Sequence, residues 1–279
     1  MTDTHKTWFI TGASSGLGEA FARYAVDEGY NVVATARSMA KLEALAEIAP
    51  DRVLALRLDV TVADDAEAAV AAAIARFGSI DVLINNAGYA VIGALEETPD
   101  AEWRAQMETN FFGAIHVIRA VLPVMRAQGA GAIANISSNG GQLSFAGFGA
   151  YSASKFALEG MSEALAAEVA HLGIKVTIVE PGQFRTNLVG NDMRRMPEMP
   201  DYADSVGPIR DFADGMNGTQ FGDPYKAARA IDLAIRADVT PLRLQLGGDA
   251  IDTIRAHSEQ MLADIARWEA VGRDTLMAS

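Results

Sequence analysis

Cysteine is absent from the 279-residue chain, which excludes disulfides and thiol chemistry. Histidine is scarce: the four, at 5, 116, 171 and 257, have no metal-ligand spacing, so no metal site is expected. No apolar run is long enough to cross a bilayer. The opening residues, Met1 to Lys6, lead into an apolar stretch of only about five residues, shorter than a signal-peptide core. Basic charge is in deficit, with 23 Lys+Arg against 36 Asp+Glu. The resulting net charge of −13 argues against nucleic acid and anionic membrane as partners. These absences leave a soluble cytoplasmic protein as the expectation. Apolar residues, by contrast, make up 50% of the chain, enough for a large core, and one domain over 1–279 accounts for the length.

Along the chain, β-prone and helical patterns alternate. Strands are expected at 7–11, 31–35, 53–58, 82–85, 132–137, 175–179 and 242–246. Helices are expected at 16–28, 39–48, 63–77, 101–127, 151–171, 225–237 and 249–271. Several strands are nearly continuous in apolar residues, as happens when helices cover both faces of a parallel sheet. The alternation implies an α/β fold with a doubly wound parallel sheet, the Rossmann arrangement, as a single domain. The stretch 187–222 lacks clear periodicity and is dense in Pro, Gly and Met, so it reads as an irregular substrate lid.

Thr11-Gly12-Ala13-Ser14-Ser15-Gly16-Leu17-Gly18 joins the first strand to the first helix. Glycines there let the backbone approach a pyrophosphate, and the helix N-terminus offers unpaired N–H groups and positive potential. The end of the second strand bears on which dinucleotide binds. An NAD-binding unit places an acidic residue there for the ribose 2′-OH. This chain has Ala36-Arg37-Ser38 instead. Arg37 can hold a 2′-phosphate bidentately and Ser38 can add a hydrogen bond, so NADP(H) is expected over NAD(H).

The second half carries a proton-transfer signal. Ser138 ends a strand, and Tyr151 and Lys155 stand four residues apart at the start of a helix, on one face of it. A free phenol titrates near ~10, and a neighbouring ammonium favours phenolate and brings it toward the working range. Ser138 can hydrogen-bond a substrate oxygen. A Tyr-x-x-x-Lys pair alone is unremarkable in helices; its combination with the glycine loop is not.

Taken with Asn85-Asn86-Ala87-Gly88, Asn110 within Glu108–Gly113, and Pro181-Gly182 followed by Thr186, these motifs make the chain resemble the short-chain dehydrogenase/reductase family from about 6 to 246. The segment from Val179 to Thr186 is similar to the hydroxysteroid- and retinol-dehydrogenase-like branch. The resemblance implies an oxidoreductase acting on CH–OH groups, with Asn110, Ser138, Tyr151 and Lys155 as catalytic residues. It implies that Gly12, Ser14, Ser15, Gly16, Leu17 and Gly18 cradle the cofactor diphosphate. Asp59 and Val60 would border adenine, and Asn86, Ala87 and Gly88 would line the cofactor path. Lys155 would hold the nicotinamide ribose, with Tyr151 beside it. Pro181, Gly182, Phe184 and Thr186 would lie at the carboxamide. Around Asn110 a locally opened helix would hold a water linking Lys155 to solvent; a satisfied core asparagine is the plainer alternative.

The preferred substrate is a small-molecule hydrophobic ketone or secondary alcohol. Its candidate wall includes Tyr89, Val91, Ile92, Leu143, Phe145 and Phe148, with Leu188, Met193, Met196, Met199 and Met216 from the irregular stretch, where methionines adapt to varied shapes or simply pack the loop. Two other classes fit the sequence less well: a non-catalytic NADP(H) sensor, which needs no proton relay, and an isomerase or lyase using transient hydride transfer. Family resemblance also implies a homo-oligomer, dimer or tetramer, paired through the helices at 101–127 and 151–171, unless the C-terminal helix at 249–271 covers part of that surface.

Overall fold

The computed structural model describes residues 6–190 and 192–277; the expectation for the opening residues 1–5 lies outside this range. Seven parallel strands form one sheet: β1 (Thr7–Thr11), β2 (Asn31–Ala36), β3 (Val53–Arg57), β4 (Val82–Asn85), β6 (Gly131–Ile136), β7 (Ile174–Pro181) and β9 (Arg243–Leu246). Their order, β3-β2-β1-β4-β6-β7-β9, reverses direction between β1 and β4. That switch point opens a crevice at the carboxyl ends of the strands, where ligands of doubly wound sheets bind. A small second sheet pairs β5 (Ala90–Ile92) with β8 (Met193–Arg195).

Every residue of β1 is buried, as its place in mid-sheet requires. Helices α1 (Gly16–Asp27), α2 (Ala40–Ile48) and α8 (Pro224–Arg236) cover one face around Trp8, Ile10, Phe21, Leu42 and Ile231. Helices α3 (Ala63–Phe77), α5 (Gly113–Gln128) and α6 (Gly149–Val169) cover the other around Phe9, Leu83, Val117, Ile133 and Leu165. Each large side chain so buried contributes about 1.5–3 kcal/mol. Buried polar groups tie distant segments: Asp232 accepts from Tyr24 Oη at 3.0 Å, fastening α8 to α1. No helix among the described residues is long and apolar enough to span a membrane.

Three expectations needed revision. The single helix at 101–127 is two helices, α4 (Asp100–Met107) and α5, joined by a π segment at Glu108–Phe112. The wider turn is marked by the Gly113 N–H reaching the Glu108 carbonyl. Gly113 is squeezed as well: a Cβ there would stand 2.6 Å from Val60 Cγ2. The stretch 187–222 is not irregular throughout. It holds β8, a turn at Pro200–Tyr202 and the 14-residue helix α7 (Ala203–Met216). Pro208 and two glycines mask the period of α7, yet Val206, Arg210 and Ala213 form its buried stripe. Finally, β5 escaped notice because three residues are too few for an alternation to register. The last helix among the described residues is α9 (Gly248–Arg273).

Candidate active site

The crevice is a cleft of about 840 Å³, a size suited to a large ligand. Of the catalytic and cofactor-binding residues expected above, all but Gly18 and Asn110 line it. Its floor is the glycine loop. Gly12 and Gly16 have φ of +66° and +59°, a region that L side chains rarely enter. A Cβ at Gly12 would lie 2.9 Å from Ala87 Cα, and one at Gly18 only 2.3 Å from the Gly12 carbonyl oxygen. Gly18 therefore serves the fold of the loop rather than the cleft. Ser15 caps α1 without a side-chain hydrogen bond, so the first-turn N–H groups are left for an anion beside Ser14, Ser15 and Gly16.

A second motif locks this loop from behind. Thr11 Oγ1 accepts from the backbone N–H groups of Asn86 and Ala87 at 2.9 and 3.0 Å. Asn86 Nδ2 returns donors to the carbonyls of Thr11 and Gly12 at 3.0 and 3.2 Å. The Asn86 amide is thus committed to shaping the loop, and only the rest of the residue faces a ligand. At the adjoining end, Arg37 and Ser38 are exposed on the cleft wall. Asp59 is already engaged, accepting from Thr61 N and Oγ1 at 3.0 and 2.8 Å. Burial raises its pKa, but the Thr61 donors and the positive charges of Arg37 and Arg57 outweigh this and lower it overall.

At the other end Ser138, Tyr151 and Lys155 converge from β6 and α6. Ser138 Oγ donates to Asn139 Oδ1 at 3.0 Å and accepts from Gly140 N at 3.0 Å. Lys155 Nζ donates to the Ile136 carbonyl at 2.8 Å and lies over the Tyr151 ring, 5.7 Å from its centroid. Here the geometry corrects an expectation. Burial pushes the Tyr151 phenol up, the Ser138 hydroxyl draws it down, and the net direction is upward. Lys155 Nζ, held by the Ile136 carbonyl, does not offset the desolvation. Lys155 is itself brought down to about 8 by burial, against the opposing charge of Glu159.

Asn110 is buried in the π segment, outside the cleft lining. Its amide clamps Tyr89, donating to the carbonyl at 3.1 Å and accepting from the N–H at 3.2 Å, and also donates to Ser154 Oγ at 3.1 Å. Its side chain is that of a satisfied core asparagine, while the backbone around it is opened as the resemblance implied. A Cβ at Gly88 would come within 3.0 Å of Asn110 Oδ1, so glycine at that position makes room for this clamp.

The sequence reading missed a buried polar cluster behind Ser138. Ser137 Oγ donates to Glu159 Oε1 at 2.6 Å, and Gln142 bridges Glu159 and Glu180. Gln245 donates to Glu180 Oε2 at 2.6 Å, and Arg243 pairs with both carboxylates, 3.3 Å from Glu159 and 3.1 Å from Glu180. Glu180 is raised to about 7, first by burial and then by the charge of Glu159. The spacing of Lys155 and Glu159 on one helix face was a usable signal; Glu180 had been noticed only as part of a branch signature.

The cleft's far wall is built by Tyr89, Phe145, Phe148, Leu188, Met193 and α7 residues including Ile209 and Phe212. Val91, Ile92, Leu143, Met196 and Met199, expected there, are not part of it: Val91 and Ile92 are buried in the β5–β8 sheet, and Met196 packs on Gly93. The buried pair Arg210–Glu97, at 2.7 Å, anchors α7 to the segment before α4.

The profile of the short chain dehydrogenases matches residues 6–196. A solved short-chain dehydrogenase from Streptomyces avermitilis is 49% identical, with a TM-score of 0.93 over 99% of this chain and all of that one. The 3-ketodihydrosphingosine reductase of Bacteroides thetaiotaomicron is 40% identical over 91% of this chain and 92% of its own. An actinorhodin polyketide ketoreductase solved with NADPH is 30% identical, with a TM-score of 0.75 over 88% of this chain and 97% of that one. The chain belongs to the short-chain dehydrogenase/reductase family of oxidoreductases.

Proposed function

We propose that the protein is an NADP(H)-dependent oxidoreductase that interconverts a ketone and a secondary alcohol on a hydrophobic substrate, with Tyr151 as proton carrier. The observation that carries this reading is the convergence of Ser138, Tyr151 and Lys155 on the cleft that the glycine loop floors. The dinucleotide, when bound, supplies or accepts the hydride. Ser14, Ser15, Gly16 and Leu17 hold its diphosphate; Arg37 and Ser38 hold a 2′-phosphate that no carboxylate at the end of β2 repels. Asp59 and Val60 border the adenine, and Lys155 holds the ribose. Pro181, Gly182, Phe184 and Thr186 lie at the carboxamide.

Ser138 orients the substrate oxygen. Tyr151, its phenol held protonated by burial, gives its proton to that oxygen as negative charge develops there. Lys155, near 8, is ammonium at neutral pH and supports the phenol's return to its protonated form. The opened backbone at Asn110 offers this lysine a route to solvent. The names of the reductase and ketoreductase relatives support reduction as the working direction. The apolar far wall, with Phe145, Phe148, Leu188, Met193 and Phe212, supports a hydrophobic substrate. An intact Ser138, Tyr151 and Lys155 set speaks against a sensor, which has no proton to move.

The test is a panel of ketones of graded chain length and the matching alcohols, followed by nicotinamide absorbance with NADPH and with NADH. Consumption of NADPH in step with ketone, faster for longer apolar chains, is the expected result. Conversion without net cofactor change would indicate the isomerase or lyase reading instead, and no turnover of any pair would overturn the proposal.

A further inference from the structure

Helix α9 leaves the end of β9 and runs for 26 residues, yet Ala250 is its only buried residue. From residue 258 onward every described position is exposed. That part nonetheless carries Met261, Leu262, Ile265, Trp268 and Val271, each more than half exposed. Two physical arguments say that something covers it. Contiguous large apolar side chains on a surface mark an interaction site. Helical stability in proteins comes mostly from packing of an apolar face, and the outer turns of α9 pack on nothing within the described residues.

The helix names its partner through its charges. Ile251, Ile254, Ser258, Met261, Ile265 and Trp268 follow one another at spacings of three and four, the seam of a two-helix pair. One flank of that seam carries Arg255, Leu262 and Glu269; the other carries His257, Asp264 and Val271. In an antiparallel pair like flanks meet: Arg255 faces Glu269 of the second helix, Glu269 faces Arg255, and the two Leu262 side chains meet at the dyad. The two Asp264 carboxylates approach on the other rim, where solvent screening keeps the repulsion small. A parallel pair would instead set Asp264 against Glu269 twice, with no compensating attraction. The isologous arrangement, in which residue i meets j and j meets i, is the geometry of a twofold dimer. The helix carries five carboxylates against three guanidiniums, which disfavours an anionic lipid surface as the occupant.

We propose that α9 is a homodimerisation element that packs antiparallel against α9 of a second copy, with Ile265 in the seam and Arg255–Glu269 pairs fixing the orientation. The element so assigned is α9 itself, not the helices through which family resemblance implied pairing.

The test uses the full-length chain and reads mass in solution by sedimentation over a range of concentrations, with circular dichroism to verify folding. Ile265→Asp should raise the dimer dissociation constant at least tenfold. Arg255→Glu and Glu269→Arg should each weaken the dimer several-fold. The double variant should recover most of the loss, because the swapped pair is again complementary only if the helices are antiparallel. The cysteine-free background allows an independent reading. Leu262→Cys should be captured as a covalent dimer by a short bifunctional thiol reagent. Trp268→Cys should not, since antiparallel packing holds the two copies about 15 Å apart along the axis. A monomer at all concentrations, or a dimer indifferent to Ile265→Asp, would overturn the proposal. So would failure of the charge swap to restore the dimer, or α9-dependent binding to neutral vesicles by a monomeric chain.

Discussion

Glu159 and Glu180 share a single amide: Gln142 Nε2 donates to a carboxylate oxygen of each, 3.1 Å from Glu180 Oε1, in a site that both acids occupy fully buried. Two carboxylates so placed resist being ionised together, and Glu180 rises from its ordinary 4.5 to about 7. The folded protein therefore binds a proton between these values that the unfolded chain has released. Stability conferred by this group is fully present below about 4.5 and declines as pH rises through about 7. Glu180→Gln, which cannot ionise, should flatten this decline and exceed the wild type at pH 8 by on the order of 1–3 kcal/mol. Denaturant unfolding at pH 5, 6, 7 and 8 checks it; parallel curves for the two proteins would refute it.

The same cluster reaches Lys155, the lysine proposed to serve the proton relay. Glu159 raises Lys155 against the burial that brings it down to about 8. Glu159→Gln should thus lower Lys155 further and shift the alkaline limb of the kcat/KM profile to lower pH. If the variant folds but its alkaline limb stays in place, Glu159 does not act through Lys155.

Arg37 gives the cofactor prediction. It is exposed at the cleft and supplies positive potential felt by Asp59. Charge-assisted hydrogen bonds contribute about 1.5–3 kcal/mol, so Arg37→Ala should weaken NADPH about 10- to 150-fold and leave NADH nearly unchanged. Dissociation constants for both dinucleotides decide the matter, and equal weakening of the two would remove Arg37 from the 2′-phosphate.

How much of this could be read from the chain depended on whether a feature is local. The seven sheet strands were legible because each is a short apolar run bounded by turns, and the glycine loop because its spacing is itself the structure. Tyr151 and Lys155 were legible because four residues along a helix fix a shared face. Helix α7 was hidden by Gly207 and Pro208, whose local preferences oppose a helix that the Arg210–Glu97 pair and the packing of Val206 hold together. The pairing of Glu159 with Glu180 is likewise a product of β7 lying beside α6, and nothing within either segment announces it. The direction of the Tyr151 shift differs from expectation for the same reason: spacing brings Lys155 near, but the fold decides how deeply the phenol is buried.

The segment 187–221, proposed as a lid, gives a dynamic prediction. Part of 187–221 lines the cleft through Leu188, Val189 and α7, while the buried Arg210–Glu97 pair holds its far side. Closure should therefore involve the flanks of α7 more than its anchored face. Hydrogen exchange with and without NADPH and a ketone should show ligand-dependent protection at 187–192 and 216–221. Protection confined to other parts of the chain would rule out a lid.

Tyr151→Phe is the decisive variant for the chemistry. The ring packs among Ala90, Ile92, Met193 and Ala213 and stands edge-on to Phe148, 6.1 Å between centroids. All of that apolar contact survives the substitution, so the fold and NADPH affinity should change little. What goes is the hydroxyl beside Ser138, the group able to protonate the substrate oxygen as hydride arrives. General acid catalysis contributes about 10²–10⁴-fold, and turnover should fall by that factor with KM nearly unchanged. Lys155→Ala should differ, since it also removes the donor to Ile136 and the proposed hold on the cofactor ribose, costing affinity together with rate. Steady-state rates and NADPH titrations on both variants separate the two roles. Substantial turnover by Tyr151→Phe on a good ketone substrate would show that another group delivers the proton.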